Sequence, residues 1–184
     1  MAVGKTKKKS NLDKVWATLR ILIGLILIWA FLDKLIGLGY ATCRTVDPVS
    51  KTETVTVMCE KAWLNEGSPT EGFLSFATKG PLQTTYSSLA GNMYVDVLFM
   101  TGLLLIGLSL ITGVGVKIAS VSGILLFLMM WSAVLPGENN PLIDDHIVYS
   151  VVLLGVLMAN STQVWGYGQW WQKQAIVKKY PILA

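Results

Sequence analysis

Four long apolar runs divide the chain into candidate membrane helices. They cover residues 16–38, 94–114 and 116–135, and the last run begins after His146. Crossing the hydrocarbon core of a bilayer takes about 20 mostly apolar residues as a helix, because lipid offers the backbone no hydrogen-bond partners. The first three runs reach that length. The fourth is strongly apolar only as far as Ala159, so it spans a bilayer only with the polar residues 160–163 included.

The composition agrees with a bilayer as the solvent. The chain has 184 residues, of which 53% are hydrophobic and 14% are charged, and its mean hydropathy is +0.55. These values are too apolar for an ordinary soluble domain of this size. The sequence therefore predicts an all-α membrane protein, with a bundle of four transmembrane helices over residues 16–165. The first run is too long for a signal peptide and is expected to stay as a helix.

Lysines on both sides of the bundle predict its orientation. Those before the first run and after the fourth are Lys5, Lys7, Lys8, Lys9, Lys14, Lys173, Lys178 and Lys179. The positive-inside rule makes residues 1–15 a basic cytoplasmic tail and predicts a multi-pass protein of the cell membrane with both termini in the cytoplasm. These flanks account for the net charge of +4, so the lipid bilayer is the expected partner and nucleic acid is not.

The segment between the first two runs, residues 39–93, is far longer than a usual helix connection and is predicted to be an extracytoplasmic segment with structure of its own. It contains both cysteines. Cys43 and Cys59 bracket a stretch in which an Asp-Pro pair favours a turn and alternating threonine and valine favour strands. An even number of cysteines on the oxidising side favours a disulfide-closed hairpin over residues 43–59, with free thiols as the alternative.

The last segment, residues 166–184, mixes tryptophan and tyrosine with lysine. Aromatic rings with one wet edge prefer headgroup depth, and lysines beside them face anionic lipid, so an interfacial C-terminal helix is predicted. Arg20, near the inner end of the first run, is expected to extend to the lipid headgroups.

Ionisable residues near the outer end of the bundle need an explanation, because such a group costs roughly 2.5 to 3.5 kcal/mol at the centre of a spanning helix. Two interpretations stay open. The residues mark the water boundary, or they form one polar cluster drawn from several helices. The candidate site residues are Asp33, Lys34, Asp96, Asp145 and His146, with Trp29, Trp131 and Tyr149 as aromatic neighbours.

Three roles fit His146, the only histidine: metal ligand, proton carrier or helix cap. A metal site is the weakest of these, because the Asp-Asp-His stretch lacks a second histidine or a cysteine pair. Histidine is the side chain that ordinarily changes charge near neutral pH, and neighbouring carboxylates can fix its tautomer. The phosphate loop, dinucleotide fingerprint, nucleophile elbow and paired CxxC motifs are absent from the sequence.

Four motifs in order resemble the DoxX-like membrane proteins, a family that includes the DoxD-type subunit of thiosulfate:quinone oxidoreductase. The motifs are WAFLDKL at 29–35, GSPTEGFL at 67–74, DVLFMTGL at 96–103 and NNPLIDDHIVY at 139–149. The resemblance covers most of the chain and implies a four-helix membrane bundle that passes electrons from a sulfur compound such as thiosulfate to membrane quinone. The Cys43 to Cys59 stretch looks like an insertion relative to the family pattern.

The expected function is therefore a quinone-linked membrane oxidoreductase or its membrane subunit, with quinone as substrate or ligand. Lys34 and His146 would bind a sulfur oxyanion or a quinone carbonyl, while the three aspartates orient them and accept protons. Because no redox cofactor is visible, the electrons pass directly to quinone or through a partner redox subunit. The alternative is a non-catalytic accessory subunit of a larger respiratory or redox complex, and a homo-oligomer also fits.

Overall fold

The computed structural model describes residues 10–47, 49–159 and 164–184, which are mostly helical. Two sequence predictions fall partly outside these ranges, namely the basic tail and the polar residues 160–163 of the fourth run. Along the described chain the elements are α1 (Asn11–Leu32), β1 (Arg44–Val46), β2 (Glu53–Val55), α2 (Gln83–Ser87), α3 (Met93–Thr112), α4 (Val116–Ala133), α5 (Asp145–Met158), α6 (Gly168–Trp171) and α7 (Ala175–Lys179).

Helix α1 starts earlier than the apolar pattern predicts. Ser10 caps it, because the Asp13 backbone N–H donates to Ser10 Oγ while the Ser10 N–H donates to the Asp13 carboxylate. A π-helical turn, Asp33–Gly37, extends the helix at its other end. The 27 residues Asn11–Gly37 are long and apolar enough to cross a membrane, and the predicted basic tail overlaps their first turn.

Helices α3 and α4 are also long and apolar enough to cross a membrane. Gly113 and Gly115 turn the chain between them, and both have positive φ, of 80° and 68°, which an L side chain rarely adopts. Helix α5 is apolar but has only 14 residues, so three helices in the described chain meet the length for a span.

The four longer helices pack in a ring, in which α1 contacts α3, α3 contacts α4, α4 contacts α5, and α5 contacts α1. Helices α1 and α3 approach most closely at two glycines. A Cβ on Gly24 would lie 2.9 Å from the Gly107 carbonyl oxygen, and a Cβ on Gly107 would lie 3.1 Å from the Gly24 carbonyl oxygen. Small residues allow this approach in lipid, where close packing holds helices together. The buried core includes Leu27, Met100, Leu103, Leu110, Phe127 and Leu153.

Apolar side chains also cover the outside of the ring. A water-soluble bundle would place polar residues on these faces. Here the exposed apolar residues include Leu22, Leu25, Leu98, Leu105, Leu125, Val151 and Leu154. Together with the lengths of three helices, these faces support a bilayer as the environment.

The disulfide-closed hairpin is confirmed. Cys43 and Cys59 are bonded, with their Cα atoms 5.7 Å apart. Strands β1 and β2 are antiparallel, with Thr45 opposite Thr54, and an exposed ion pair joins Arg44 to Glu53. The hairpin is exposed on both faces, so the disulfide and its contacts with the end of α1 hold it in place.

Residues 38–47 and 49–92 form a cap over one end of the bundle, which is called the capped end below. After the hairpin the cap runs through short turns and α2 to the start of α3. It is fastened to the end of α4, because the Lys79 N–H donates to the Ala133 carbonyl at 2.8 Å and the hydroxyls of Tyr86 and Ser132 lie 2.7 Å apart.

At the opposite end the prediction for Arg20 is wrong. Its side chain is 0% exposed and cannot reach lipid headgroups, because the chain after α5 folds over it. Arg20 Nη2 donates to the carbonyls of Val164, at 3.3 Å, and Trp165. A Cβ on Gly113 would lie 2.4 Å from Nη1, which places the guanidinium against the C-terminal end of α3, where the helix dipole favours a cation.

The C-terminal segment forms short helices rather than one long one. Helices α6 and α7 have four and five residues. Trp171 Nε1 donates to the Leu183 carbonyl, and Lys117 Nζ at the start of α4 donates to the Pro181 carbonyl at 3.0 Å. The tail therefore folds back on itself and on α4, and it leaves Trp165, Tyr167 and Trp170 exposed.

Candidate functional site at the capped end

Asp33 is buried at the end of α1, with 1% of its surface exposed, and it holds the first loop of the cap. Its Oδ1 accepts the N–H of Tyr40 at 3.1 Å, and its Oδ2 accepts the N–H groups of Ala41 and Thr42 at 3.0 and 2.9 Å. Both carboxylate oxygens are therefore used by the backbone. These bonds explain a negative charge at a helix C-terminus, where the dipole disfavours it.

Lys34 follows Asp33 and is partly buried. No ion pair joins Lys34 to Asp33 or to another carboxylate in the residues described. Backbone N–H groups, rather than an ion pair with Lys34, therefore bind the carboxylate of Asp33.

Asp96, in the first turn of α3, is 5% exposed and holds a second loop of the cap. Its Oδ1 alone accepts three hydrogen bonds, from Ser68 Oγ at 3.0 Å, from Thr70 Oγ1 at 2.6 Å and from the Thr70 N–H at 3.1 Å. The hydrogen bonds that each aspartate makes to a loop of the cap therefore explain why Asp33 and Asp96 are buried beneath it.

His146, in the first turn of α5, pairs with Asp144. The distance from His146 Nδ1 to Asp144 Oδ2 is 2.7 Å. Asp144 also caps α5, since its Oδ1 accepts the backbone N–H groups of His146 at 3.0 Å and of Ile147 at 3.3 Å. Burial disfavours the charge of Asp144, but the hydrogen bonds from the His146 side chain and the two N–H groups together lower its pKa.

Asp144 fixes the imidazole in one tautomer. With Nδ1–H donated to the carboxylate, Nε2 carries the lone pair and can accept a proton. Phe127 of α4 packs against both His146 and Tyr149, with ring centroids 6.2 and 5.4 Å apart. The side chains of Asp144 and His146 are 24% and 23% exposed, so the pair is reachable from outside the bundle.

The other predicted aromatic residues lie near the same end. Trp131 Nε1 donates to the Leu142 carbonyl at 2.9 Å and so holds the loop before α5. The crevice between Trp131, Leu142 and Asp144 is too narrow to hold a water molecule, so it does not enclose a ligand. Trp29 meets Tyr40 edge-on at 5.0 Å, and both rings are exposed.

The predicted residues therefore form separate groups rather than one connected network. In the described residues no hydrogen bond or ion pair joins Asp33, Asp96 and His146 to one another. Asp33 and Asp96 each fasten a loop of the cap, and His146 belongs to a proton-binding pair at the start of α5. Asp145 is exposed and bonds neither partner of that pair in the described contacts.

Sequence reasoning missed Asp144 as the partner of the imidazole. A signal was present, because an aspartate just before an apolar helical run is a strong N-cap candidate and lies two residues before His146. Ser68 and Thr70, which bind Asp96, lie in the GSPTEGFL motif, but serine and threonine near a proline are common in loops and do not reveal Asp96 as their partner. The described residues contain no group of three or more metal-ligating side chains.

No known family pattern matches the chain, and comparisons with curated proteins and with solved structures find no similar protein or fold.

Proposed function

We propose that the protein is a quinone-linked membrane oxidoreductase, or the membrane subunit of one, with the Asp144–His146 pair as its proton-transfer site. The observation that carries this proposal is the 2.7 Å contact between the two side chains beside Phe127 and Tyr149. Reduction of a quinone takes up two electrons and two protons, so a proton donor oriented at the edge of a bilayer is what the reaction needs.

The membrane topology belongs to the same proposal. Helix α5 would act as a fourth span by lying where its neighbours thin the bilayer. The lysine distribution puts the capped end outside the cell and both termini in the cytoplasm. The DoxX-like motifs support this membrane arrangement. They also support a sulfur compound as the electron donor, with thiosulfate as the first candidate.

In this mechanism the donor's electrons reach a quinone that approaches His146 from the lipid. Once Nε2 of His146 has taken up a proton, it donates a hydrogen bond to a quinone oxygen and then transfers that proton, and Asp144 stabilises the imidazolium between transfers. The partly buried ring of Tyr149 lies beside the quinone ring, and the buried ring of Phe127 supports Tyr149 and His146 from behind. Lys34 attracts the anionic sulfur donor to the capped end, where it forms no ion pair in the described residues.

The test uses variants that separate the two neighbouring aspartates. Asp144→Asn keeps the helix cap, because asparagine caps as well as aspartate, but removes the charge that orients the imidazole. Quinone reduction by thiosulfate in the purified protein should fall by about a hundredfold in Asp144→Asn and in His146→Gln. Asp145→Asn is the matched control and should keep the wild-type rate.

Two results would overturn the proposal. One is full activity in the His146→Ala, Lys34→Ala double variant, which removes both assigned ligand groups. The other is loss of activity in Asp145→Asn with wild-type activity in Asp144→Asn, which would place the chemistry outside the hydrogen-bonded pair.

The second candidate is a non-catalytic subunit whose cap binds a larger redox complex. It is favoured by the apolar side chains that the cap exposes, among them Phe76 at 86% and Leu64 at 59%. Because Asp33 and Asp96 hold the cap rigidly, such a surface would be ready to bind. Co-purification in mild detergent tests it: a stoichiometric partner together with an inactive isolated chain favours the subunit.

A further inference from the structure

The two sulfur atoms of the Cys43–Cys59 disulfide have different surroundings. Cys43 is 5% exposed, and a Cβ added to Gly37 would lie 2.5 Å from its Sγ, so this sulfur packs tightly on the end of α1. Cys59 is partly exposed in the turn after β2. A thiolate can therefore reach Cys59 and not Cys43, which is the asymmetry that directs thiol exchange to one sulfur.

The accessible sulfur has a hydrogen-bond donor beside it. The backbone N–H of Lys61 donates to Cys59 Sγ at 3.3 Å, and the oppositely charged Glu60 and Lys61 follow Cys59 in the chain. A hydrogen bond to sulfur stabilises a thiolate, which is the leaving group and the nucleophile of exchange.

The backbone beside both cysteines is in a strained conformation. Cys43 has φ of 66° and Met58, which precedes Cys59, has φ of 57°. Non-glycine residues rarely adopt this left-handed region, and those that do cluster at functional sites. Lys51 shares the conformation within the loop that the disulfide closes, and Glu66 and Trp165 share it outside that loop.

The disulfide also lies at the edge of the bundle. Cys43 directly follows the loop whose N–H groups bind Asp33, and that loop begins with Tyr40, which meets Trp29 edge-on near the end of α1. Both rings are exposed, at 63% and 47%, and amphipathic rings of this type sit at headgroup depth. A quinone headgroup in the bilayer reaches the same depth.

We propose that Cys43 and Cys59 are a redox-active pair that accepts electrons from an external thiol at Cys59 and passes them to quinone. This inference rests on the proposed function and adds a thiol as a second class of electron donor. A donor thiolate attacks Cys59 Sγ, the S–S bond breaks, and Cys43 leaves with the electron pair and takes a proton. A second donor thiol then attacks the mixed disulfide, which releases the oxidised donor and the Cys59 thiolate.

The return step oxidises the pair. The Cys59 thiolate adds to the quinone ring, and Cys43, deprotonated, attacks the Cys59 sulfur to restore the S–S bond. The C–S bond breaks with its electron pair left on the ring, which takes up two protons to become quinol. Over the cycle two donor thiols lose two electrons and two protons, and one quinone gains them.

The first experiment measures quinone reduction by the full-length protein in detergent, with glutathione as donor and decylubiquinone as acceptor. The rate should fall by at least about tenfold in the Cys43→Ser, Cys59→Ser double variant. Arg44→Gln breaks the ion pair of the hairpin without touching sulfur and should keep the wild-type rate. Equal loss in Arg44→Gln would mean that the hairpin acts only through its structure, and a wild-type rate in the double variant would overturn the proposal.

Thiosulfate as donor separates this inference from the proposed function. If thiosulfate reduces quinone through His146 while glutathione oxidation does not depend on the cysteines, the proposed function stands and the cysteine pathway fails. If no donor reduces quinone, the proposed function fails and the quinone step of the cysteine pathway fails with it.

The second experiment tests the thiol step alone. In Cys43→Ser the free Cys59 should form a mixed disulfide with oxidised glutathione at least about tenfold faster than the free Cys43 does in Cys59→Ser, as followed by the mass increase of the intact protein. Faster reaction of Cys59 supports the exchange step even when quinone reduction is absent. Equal or reversed rates would refute the assignment of Cys59 as the attacked sulfur.

Discussion

Asp33 and Asp96 each accept three hydrogen bonds, but they use their oxygens differently, and this difference predicts opposite responses to asparagine. Asp33 uses both oxygens, whereas Asp96 receives all three bonds on Oδ1. Asparagine keeps one carbonyl oxygen and replaces the other with an NH₂ donor. Asp96→Asn can therefore keep its partners, and Asp33→Asn cannot.

The magnitude follows from the partners that are lost. In its better orientation the amide oxygen at position 33 still accepts the N–H groups of Ala41 and Thr42, while its NH₂ faces the Tyr40 N–H. One buried donor without a partner costs about 1 to 3 kcal/mol, and losing the charge weakens the two remaining bonds, so we expect a loss of about 2 to 4 kcal/mol. For Asp96→Asn we expect about 0 to 1 kcal/mol, since the cost of burying a charge disappears as well.

The assay is unfolding of the purified protein in mixed micelles by titration with sodium dodecyl sulfate, followed by tryptophan fluorescence. Hydrogen exchange gives a local readout: amides of residues 40–42 should lose protection in Asp33→Asn, and residues 68–70 should keep theirs in Asp96→Asn. Asp145→Asn is the control for removing one exposed charge. Equal destabilisation by the two buried substitutions, or a larger effect at position 96, would refute the assignment of these bonds.

Three further predictions come from the packing and charges of the bundle. Gly107→Ala should destabilise the protein by about 1 to 3 kcal/mol, because the added Cβ would meet Ile28 and the Gly24 carbonyl. Gly102→Ala is the control and should be neutral in the same titration, because the space around Gly102 is open. Arg20→Lys should lower the free energy of unfolding by about 1 to 2 kcal/mol more than Arg20→Met does, because lysine keeps a buried charge on a side chain one bond too short to replace Nη2, which donates to both carbonyls. The reverse order would count against the role of these two hydrogen bonds. Asp144 has a lowered pKa in the folded protein, so its contribution to the free energy of unfolding is present above its unfolded pKa of about 3.9 and is lost as the pH falls through its folded value. Asp144→Asn should therefore flatten the decline of stability below about pH 4. An unchanged acid titration would contradict the pairing with His146.

The helices could be predicted from the sequence because lipid imposes a simple rule. A helix buried in hydrocarbon needs an uninterrupted apolar run, so the runs at 94–114 and 116–135 nearly match α3 and α4. The apolar pattern alone places the start of α1 too late in the chain, because the Ser10–Asp13 capping box extends the helix into polar sequence. The disulfide was predictable because the chain has only two cysteines.

The partners of the buried charges could not be predicted in the same way. The residues that bind Asp33 lie seven to nine positions ahead, and they contribute backbone N–H groups that every residue except proline has. Depth along the helix placed Asp33, Asp96 and His146 at one end, but it does not reveal which loop folds onto each. Choosing between Asp144 and Asp145 depends on where α5 begins, and a shift of one residue exchanges their roles.

The contacts of Arg20 also determine the order in which the bundle can be completed. Its carbonyl partners come 144 and 145 residues later in the chain, so they leave the ribosome long after the first helix does. Until they arrive, a cationic α1 has to stay near water or beside the membrane-insertion machinery, because an unpartnered guanidinium is costly in lipid. The end of the bundle that contains Arg20 is therefore synthesised first but completed last. A truncated chain lacking residues 164–165 should leave α1 as a target for quality-control proteolysis.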